Sequence, residues 1–475
     1  MSNLIPTIGI EVHAELKTKE KIFSNSLNTY GEVANTKTNE IDLGYPGVLP
    51  TLNKDVIDLA IKAALALNCK LNKVMHFDRK NYFYPDLPKG FQITQSRTPI
   101  GTHGYVEIEV DGAKKRIGIE DIHIEEDTCK SIHEKEVTLL DFNRAGIPLI
   151  EIVTKPVIAN EKEAVLYLEK LREILLYAGI SDVKIEEGSM RCDANISLKE
   201  SDSDILGTKV EIKNIGSISN VASSIAYEIK RQKEVINKGE KIIAETRKFD
   251  EKNSSTVLMR VKETGNDYRY FPEPDIPYVI LDEEWIDKIK KEMPVLPDKL
   301  RESYKRFGIN DIAINALIQN QELNKFMNKL IELGVNPIIS SNIITGDVLG
   351  YLNKHNISIE DTKLTVDKIK QLVNKLENNE ISSRICKEIL SDMFDTDNSV
   401  NQIIENKGLK QINDTEELKK IIVKVIKDNQ DAITDYKNGL DRSVKFLMGQ
   451  IMKLTKGQAN PKLANELLIK ELSEI

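Results

Sequence analysis

No stretch of eighteen apolar residues occurs in these 475 residues, and the N-terminus lacks the basic-then-apolar pattern of a signal segment. Neither a membrane span nor export is expected, which places the chain in the cytoplasm. Cysteine is scarce. Cys69, Cys129, Cys192 and Cys386 are scattered without a CxxC pair, which argues for reduced, mostly buried thiols and against a disulfide framework or a cysteine zinc site. There is no GxxxxGK[ST] loop, no GxGxxG behind a strand pattern, and no spacing that reads as a Cys–His pair or a Ser–His–Asp set.

What is present is a globular composition, 40% hydrophobic and 30% charged, in a chain too long for one core. A net charge of −8 argues against a dominant non-specific nucleic-acid binder. The balance is uneven, however. Residues 401–475 hold 13 Lys+Arg against 11 Asp+Glu, a mildly basic end compatible with a local RNA contact.

Period-two alternation predicts strands at Thr7–Leu16, Tyr105–Val110, Lys115–Ile124, Glu136–Asp141, Leu149–Val153, Lys184–Glu187, Ala194–Leu198 and Thr208–Ile212. Capped amphipathic helices are predicted at Asn53–Leu67, Asn160–Ala178 and Ser219–Lys238, the last two stopping at Gly179 and Gly239. Prolines at 272, 274, 277, 294 and 297 mark a boundary. Helical patterns follow to the end, among them a single helix over Ser340–Lys354, with a second boundary in the stretch 398–408. The expectation is an α+β fold. A cradle of mixed, mainly antiparallel sheet with helices fills residues 1–293. An all-α helical domain at 294–405 and a helical tail domain at 406–475 follow it.

Five of the strand-like runs carry acids inside apolar sequence: Gly9–His13, His123–Asp127, Ile150–Ile152, Arg191–Asn195 and Val210–Lys213. Burying an ionised carboxylate is costly unless a cation or donor meets it. Converging carboxylates would suit a hard cation such as Mg²⁺, which keeps positions open for phosphate. With no P-loop, ATP chemistry here would need such a metal-centred site. Each run also has a plainer reading. Glu11 and His13 share a strand face that could simply be exposed. His123, Glu125 and Asp127 share one parity, so Glu126 points into an apolar interior, beside a metal or a lysine, unless the strand ends after Ile124. Glu151 sits between isoleucines. Asp193 could pair with Arg191, and Glu211 with Lys213. The run Asp78–Asp86 packs aromatics among Arg79 and Lys80, the mix that stacks on bases and binds phosphate, although a hairpin with an aromatic core face would look alike. Arg269, among tyrosines, is a phosphate or ribose candidate or part of a packed loop.

Together these runs resemble the GatB family, the B subunits of the bacterial glutamyl/aspartyl-tRNA amidotransferase. The resemblance spans essentially the whole chain. Its most specific pieces are Gly9-Ile-Glu-Val-His-Ala-Glu-Leu-Lys17, Tyr45-Pro-Gly-Val-Leu-Pro50, and the runs 77–86, 141–153, 188–196, 267–275 and 456–461. It implies a protein that uses ATP to phosphorylate the side-chain carboxylate of Glu on tRNA(Gln), or Asp on tRNA(Asn). Ammonia released from glutamine by an amidase, the A component of the complex, then forms the amide. A small C component straps that amidase to the B chain. The resemblance also implies metal and catalytic roles for Glu11, His13, Glu126, Glu151, Asp193 and Glu211. Lys80 and Glu126 would end an ammonia channel. Nucleotide or substrate contacts would fall to Arg79, Tyr82, Tyr84, Arg191, Lys213 and Arg269. Tail contacts to tRNA would fall to Lys445, Lys453, Lys456 and Lys462, residues that a solvated helix face explains equally well. Some members carry a four-cysteine zinc site near the N-terminus. The corresponding positions here are Ser24, Ser26, Asn39 and Asp42, so no structural zinc is expected.

Overall fold

The structure is a computed structural model. It describes residues 4–261, 268–409, 412, 414–437, 442–455 and 457–474. The chain divides into two compact units, Met1–Pro297 and Asp298–Ile475.

The first unit is organised by a nine-stranded sheet. In chain order its strands are β1 (Leu4–Glu15), β2 (Lys70–Leu71), β3 (Gly101–Val110), β4 (Ala113–Glu126), β5 (Pro148–Thr154), β6 (Met190–Glu200), β7 (Val210–Lys213), β8 (Glu245–Asp250) and β9 (Ser255–Val261). Across the sheet they run β9-β8-β7-β6-β1-β5-β4-β3-β2. Neighbours are antiparallel except β7 and β8, which run parallel and are joined through helix α3, defined below.

Alternation decides which face is which. Ile8, Ile10, Val12 and Ala14 of β1 are fully buried, as are Ile150 and Ile152 of β5 and Ala194 and Ile196 of β6. Each large aliphatic side chain so placed contributes roughly 1.5–3 kcal/mol. A one-residue slip would drive Glu11, His13, Glu151 and Asp193 into that core instead, so the register is strongly held. The helices cover the apolar side. They are α1 (Lys54–Ala66), capped by Asn53, α2 (Glu161–Tyr177), capped by Asn160, and α3 (Ile218–Asn237), capped by Ser217. Gly179, with φ +69°, ends α2 in the left-handed conformation glycine tolerates.

The second unit is helical throughout its described elements. Leu418, Ile422, Val425, Leu447, Ile451 and Leu468 form a separate core towards its C-terminal end. No helix among the described residues is long and apolar enough to cross a membrane.

The α+β architecture with a mainly antiparallel sheet is as expected from the alternation. Two local expectations are corrected. Lys184–Glu187 is a turn rather than a strand: Ser189 N–H donates to Lys184 O at 3.0 Å, and Val183 and Gly188 both have positive φ. The single helix over Ser340–Lys354 is broken into Pro337–Asn342, a π-helical stretch Ile343–Val348, and Leu349–His355.

Candidate metal and phosphate centre

The polar face of the sheet gathers residues from five adjacent strands. Glu11 and His13 on β1 lie opposite Asp193 and Arg191 on β6. His13 also faces Glu151 on β5, and Glu151 faces His123 on β4. Asn195 of β6 pairs with Glu211 of β7.

Two groups of donor atoms result, each with its ligand atoms within 4.8 Å of one another. The first is His13, Glu125 and Glu151. His13 Nε2 lies 3.2 Å from Glu151 Oε2 and 3.5 Å from Glu125 Oε1. Behind it His123 bridges Glu151 (3.0 Å) and Asp121 (2.8 Å). Burial alone would lower His123, but the Glu151 and Asp121 carboxylates overcome it and push the imidazole up to about 10. Burial would raise Glu151, yet His123 and His13 hold it well below the usual carboxylate range. Glu125 is raised, by burial and then by repulsion from Glu151.

The second group is Glu11, Asp193 and Glu211. Asn195 Nδ2 donates to Glu11 Oε1 at 2.7 Å, and Thr246 Oγ1 to Glu211 Oε2 at 2.9 Å. Each bond holds one carboxylate oxygen in place, the kind of support that orients metal ligands. Lys213 Nζ reaches Asp193 (2.6 Å) and Glu211 (3.2 Å). Glu11 is raised by burial and by Glu151. Each group thus holds one acid, Glu125 or Glu11, pushed up by burial and by a neighbouring carboxylate, a strain that a divalent cation relieves, and the oxygen-rich donor sets fit a hard cation chemically.

The remaining expected residues divide. Lys80, on the strand Asp78–Asn81, is held charged against its burial by Glu125, Tyr270 and Glu151, so it faces the first group. Arg191 donates to Asp127 Oδ2 at 2.6 Å and sits cross-strand from His13. Glu126 points inward as its parity requires and is 4% exposed. Its carboxylate is taken by Lys89 and by the Ile93 N–H, so it joins neither group. Its neighbour Glu125, not Glu126, is the acid that lies with His13 and Glu151 in the first donor group. The shared parity of His123, Glu125 and Asp127 is the signal that could have found this. Arg79 makes a two-pronged ion pair with Glu273 (2.6 and 2.9 Å) and lies over Phe91, which turns it to packing. Tyr82 donates to Gln92 Oε1 at 3.0 Å. Tyr84 and Arg269 are exposed. Lys445, Lys453 and Lys462 are exposed on helices, while Lys456 lies outside the described residues.

At Ser24 and Asp42, two of the four positions expected above to stand in place of zinc cysteines, oxygen groups meet one lysine. Ser24 Oγ donates to Asp42 Oδ1 at 2.7 Å, and the buried Lys21 ammonium pairs with Asp42 Oδ2 at 3.0 Å.

Fold and site together define a class: an antiparallel cradle whose polar face carries paired, P-loop-independent carboxylate clusters. Two family models match, one described as GatB/GatE catalytic domain over residues 6–287 and one as GatB domain over residues 325–472. The chain is similar to proteins named as the B subunit of an aspartyl/glutamyl-tRNA(Asn/Gln) amidotransferase. It is 49% identical to that of Lactiplantibacillus plantarum over 99% of both chains. It is 47% identical to that of Geobacillus thermodenitrificans over 99% of this chain and all of the relative. The chain belongs to the GatB family.

Proposed function

We propose that this chain is the amide-forming component of a tRNA-dependent amidotransferase, a ligase that makes a carbon–nitrogen bond with glutamine as amido donor. Its substrates are ATP and Glu-tRNA(Gln), Asp-tRNA(Asn) or both. A side-chain carboxylate resists ammonia because oxide is a poor leaving group. Attack of the carboxylate oxygen on the terminal phosphorus of ATP releases ADP and gives an acyl phosphate. Ammonia then adds at the carbonyl carbon and expels inorganic phosphate, leaving the amide. Glutamine would be hydrolysed by an amidase partner, held to this chain by a small third protein, in a cytoplasmic heterotrimer.

The observation that carries the reading is the pair of three-donor clusters side by side on one sheet face. Mg²⁺ held by His13, Glu125 and Glu151, and by Glu11, Asp193 and Glu211, would supply neutralisation of phosphoryl charge. Lys213, Arg191 and Lys80 add fixed positive charge around it. Lys80, and the buried Lys89–Glu126 pair, are suited to line the approach of ammonia and pass its surplus proton.

Glu151→Gln removes charge at nearly constant shape. In the reconstituted three-protein enzyme it should cut ATP hydrolysis stimulated by misacylated tRNA by about a hundredfold or more. It should leave tRNA affinity within about twofold, and mass analysis of the amino acid on the tRNA should show no amide. Full activity in this variant would sink the assignment. If misacylated tRNA fails to stimulate ATP hydrolysis by the wild-type enzyme, the chain is a tRNA scaffold instead.

A further inference from the structure

Next to the first cluster the sheet face opens into a cavity of about 560 Å³, a size that suits a small ligand or the end of a larger one. It is attached to the site through two of its lining residues. Glu15 is the next side chain on His13's face of β1, and Arg191 is His13's cross-strand partner on β6.

Its chemistry is selective. Six acids line it against four bases, Lys17, Lys130, Arg144 and Arg191. Three of those bases are already committed: Arg144 and Arg191 to Asp127, and Lys17 to Asp182. A free polyphosphate would meet more acid than cation there. The Glu15 carboxylate, by contrast, makes no hydrogen bond or ion pair among the described residues. A half-buried acid without a cation of its own is costly, and a cationic ligand would relieve it.

We infer that this cavity seats the aminoacyl end of the tRNA, with Glu15 pairing the free α-ammonium of the ester. The inference rests on the reaction proposed above and adds the group that tells a charged tRNA from an uncharged one. The spacing suits it. Alternate side chains on a strand stand about 7 Å apart, and bond lengths put the α-nitrogen roughly 4–5 Å from the side-chain carboxyl carbon in an extended glutamyl ester and roughly 3–4 Å in an aspartyl one. With the ammonium on Glu15, the side-chain carboxylate therefore extends towards His13, Glu125 and Glu151. The α-ammonium is common to Glu and Asp esters, so Glu15 serves both.

The test compares Glu-tRNA(Gln) with N-acetyl-Glu-tRNA(Gln), which lacks the positive charge, in the complete three-protein enzyme with ATP and glutamine. Wild-type kcat/KM should fall about tenfold or more on acetylation, the loss of one charge-assisted contact. Glu15→Gln should lose a similar factor on the free ester yet treat the acetylated one within about twofold of wild type, so that discrimination disappears. Glu15→Asp, which keeps the charge, should restore part of it. The inference is overturned if wild type handles both esters alike, if Glu15→Gln keeps the wild-type ratio, or if its effect is confined to the KM for ATP. Because the first comparison uses wild type alone, a misfolded variant does not remove the test. Failure of wild type to amidate either ester would instead remove the reaction itself.

Discussion

Asp127 shows how a single residue ties the site to stability. It is 5% exposed and accepts from Arg144 at 2.6 and 3.0 Å and from Arg191 at 2.6 Å. Burial works to raise its carboxyl, but the Arg191 and Arg144 guanidiniums outweigh it and hold it below the usual range. A folded-state value below the unfolded one means the native state favours the ionised acid. The stabilisation is therefore complete above the unfolded carboxyl range near about 4 and is lost as pH falls through the lower folded-state value. Asp127→Asn should cost about 1–3 kcal/mol at pH 7, less than a fully buried pair because both arginines retain water contact. Urea unfolding of wild type and variant at several pH values would check this. The gap should narrow below pH about 4, and a gap independent of pH would mean that packing, not charge, is lost. Glu15, two residues from His13, behaves oppositely. Burial and Asp127 push it up to about 7, against the pull of Arg144 and Arg191.

At the scale of elements, close backbone approach sets what a strand tolerates. A Cβ on Gly104 of β3 would stand 2.3 Å from Cys69 Sγ and 2.6 Å from Leu67 O, just beyond α1. The sulfur can move, but the carbonyl cannot. Gly104→Ala should therefore lower stability by about 1–3 kcal/mol, and adding Cys69→Ala should recover only part of the loss in thermal melts. Full recovery would place the strain on the sulfur alone. Legibility of the elements follows the same physics. β1, β5 and β6 were readable because each buries one apolar face and leaves the other polar. α1 and α2 were readable because Asn53 and Asn160 accept from Asp55 N and Glu163 N, as their spacing implied. β8 and β9 left no such trace. Their inner contacts are polar: Glu228, fully buried, accepts from Arg231, Gln232 and Thr256, while Arg247 pairs with Glu245. Hydropathy carries no signal of a face packed by hydrogen bonds. The π-helical turn Ile343–Val348 was hidden for a related reason, since a widened turn disturbs the backbone ladder without disturbing apolar spacing. At the site, parity alone separated Glu125 from Glu126. The assignment went to the acid that points inward, although its lysine partner was one of the two partners the sequence allowed.

At the scale of the whole molecule, charge is distributed by task. The chain is acidic overall, at −8, and five of its carboxylates gather in the two donor groups. The last 75 residues are slightly basic, and three of the four lysines expected to meet tRNA stand in solvent. Lys445 and Lys453 lie on helix Arg442–Leu454 and Lys462 on helix Pro461–Ser473. Both helices turn apolar residues, Leu447, Ile451 and Leu468 among them, into a common core. The lysines therefore hold no packing role, and replacing them should leave the melting temperature within about 2 °C. Exposed lysines serve solubility or phosphate contact, and ionic strength separates the two. Each phosphate neutralised contributes roughly 0.7–0.9 to the slope of log affinity against log salt. If the three lysines touch the tRNA backbone, Lys445→Gln, Lys453→Gln and Lys462→Gln together should weaken tRNA binding and reduce that slope by about 2. The turnover number at saturating tRNA should stay unchanged, because the carboxylate clusters are untouched. Filter binding across a salt series, with amidation rates at high tRNA, measures both quantities. An unaltered slope would assign these lysines to a solvated surface and move the tRNA contact elsewhere on the chain.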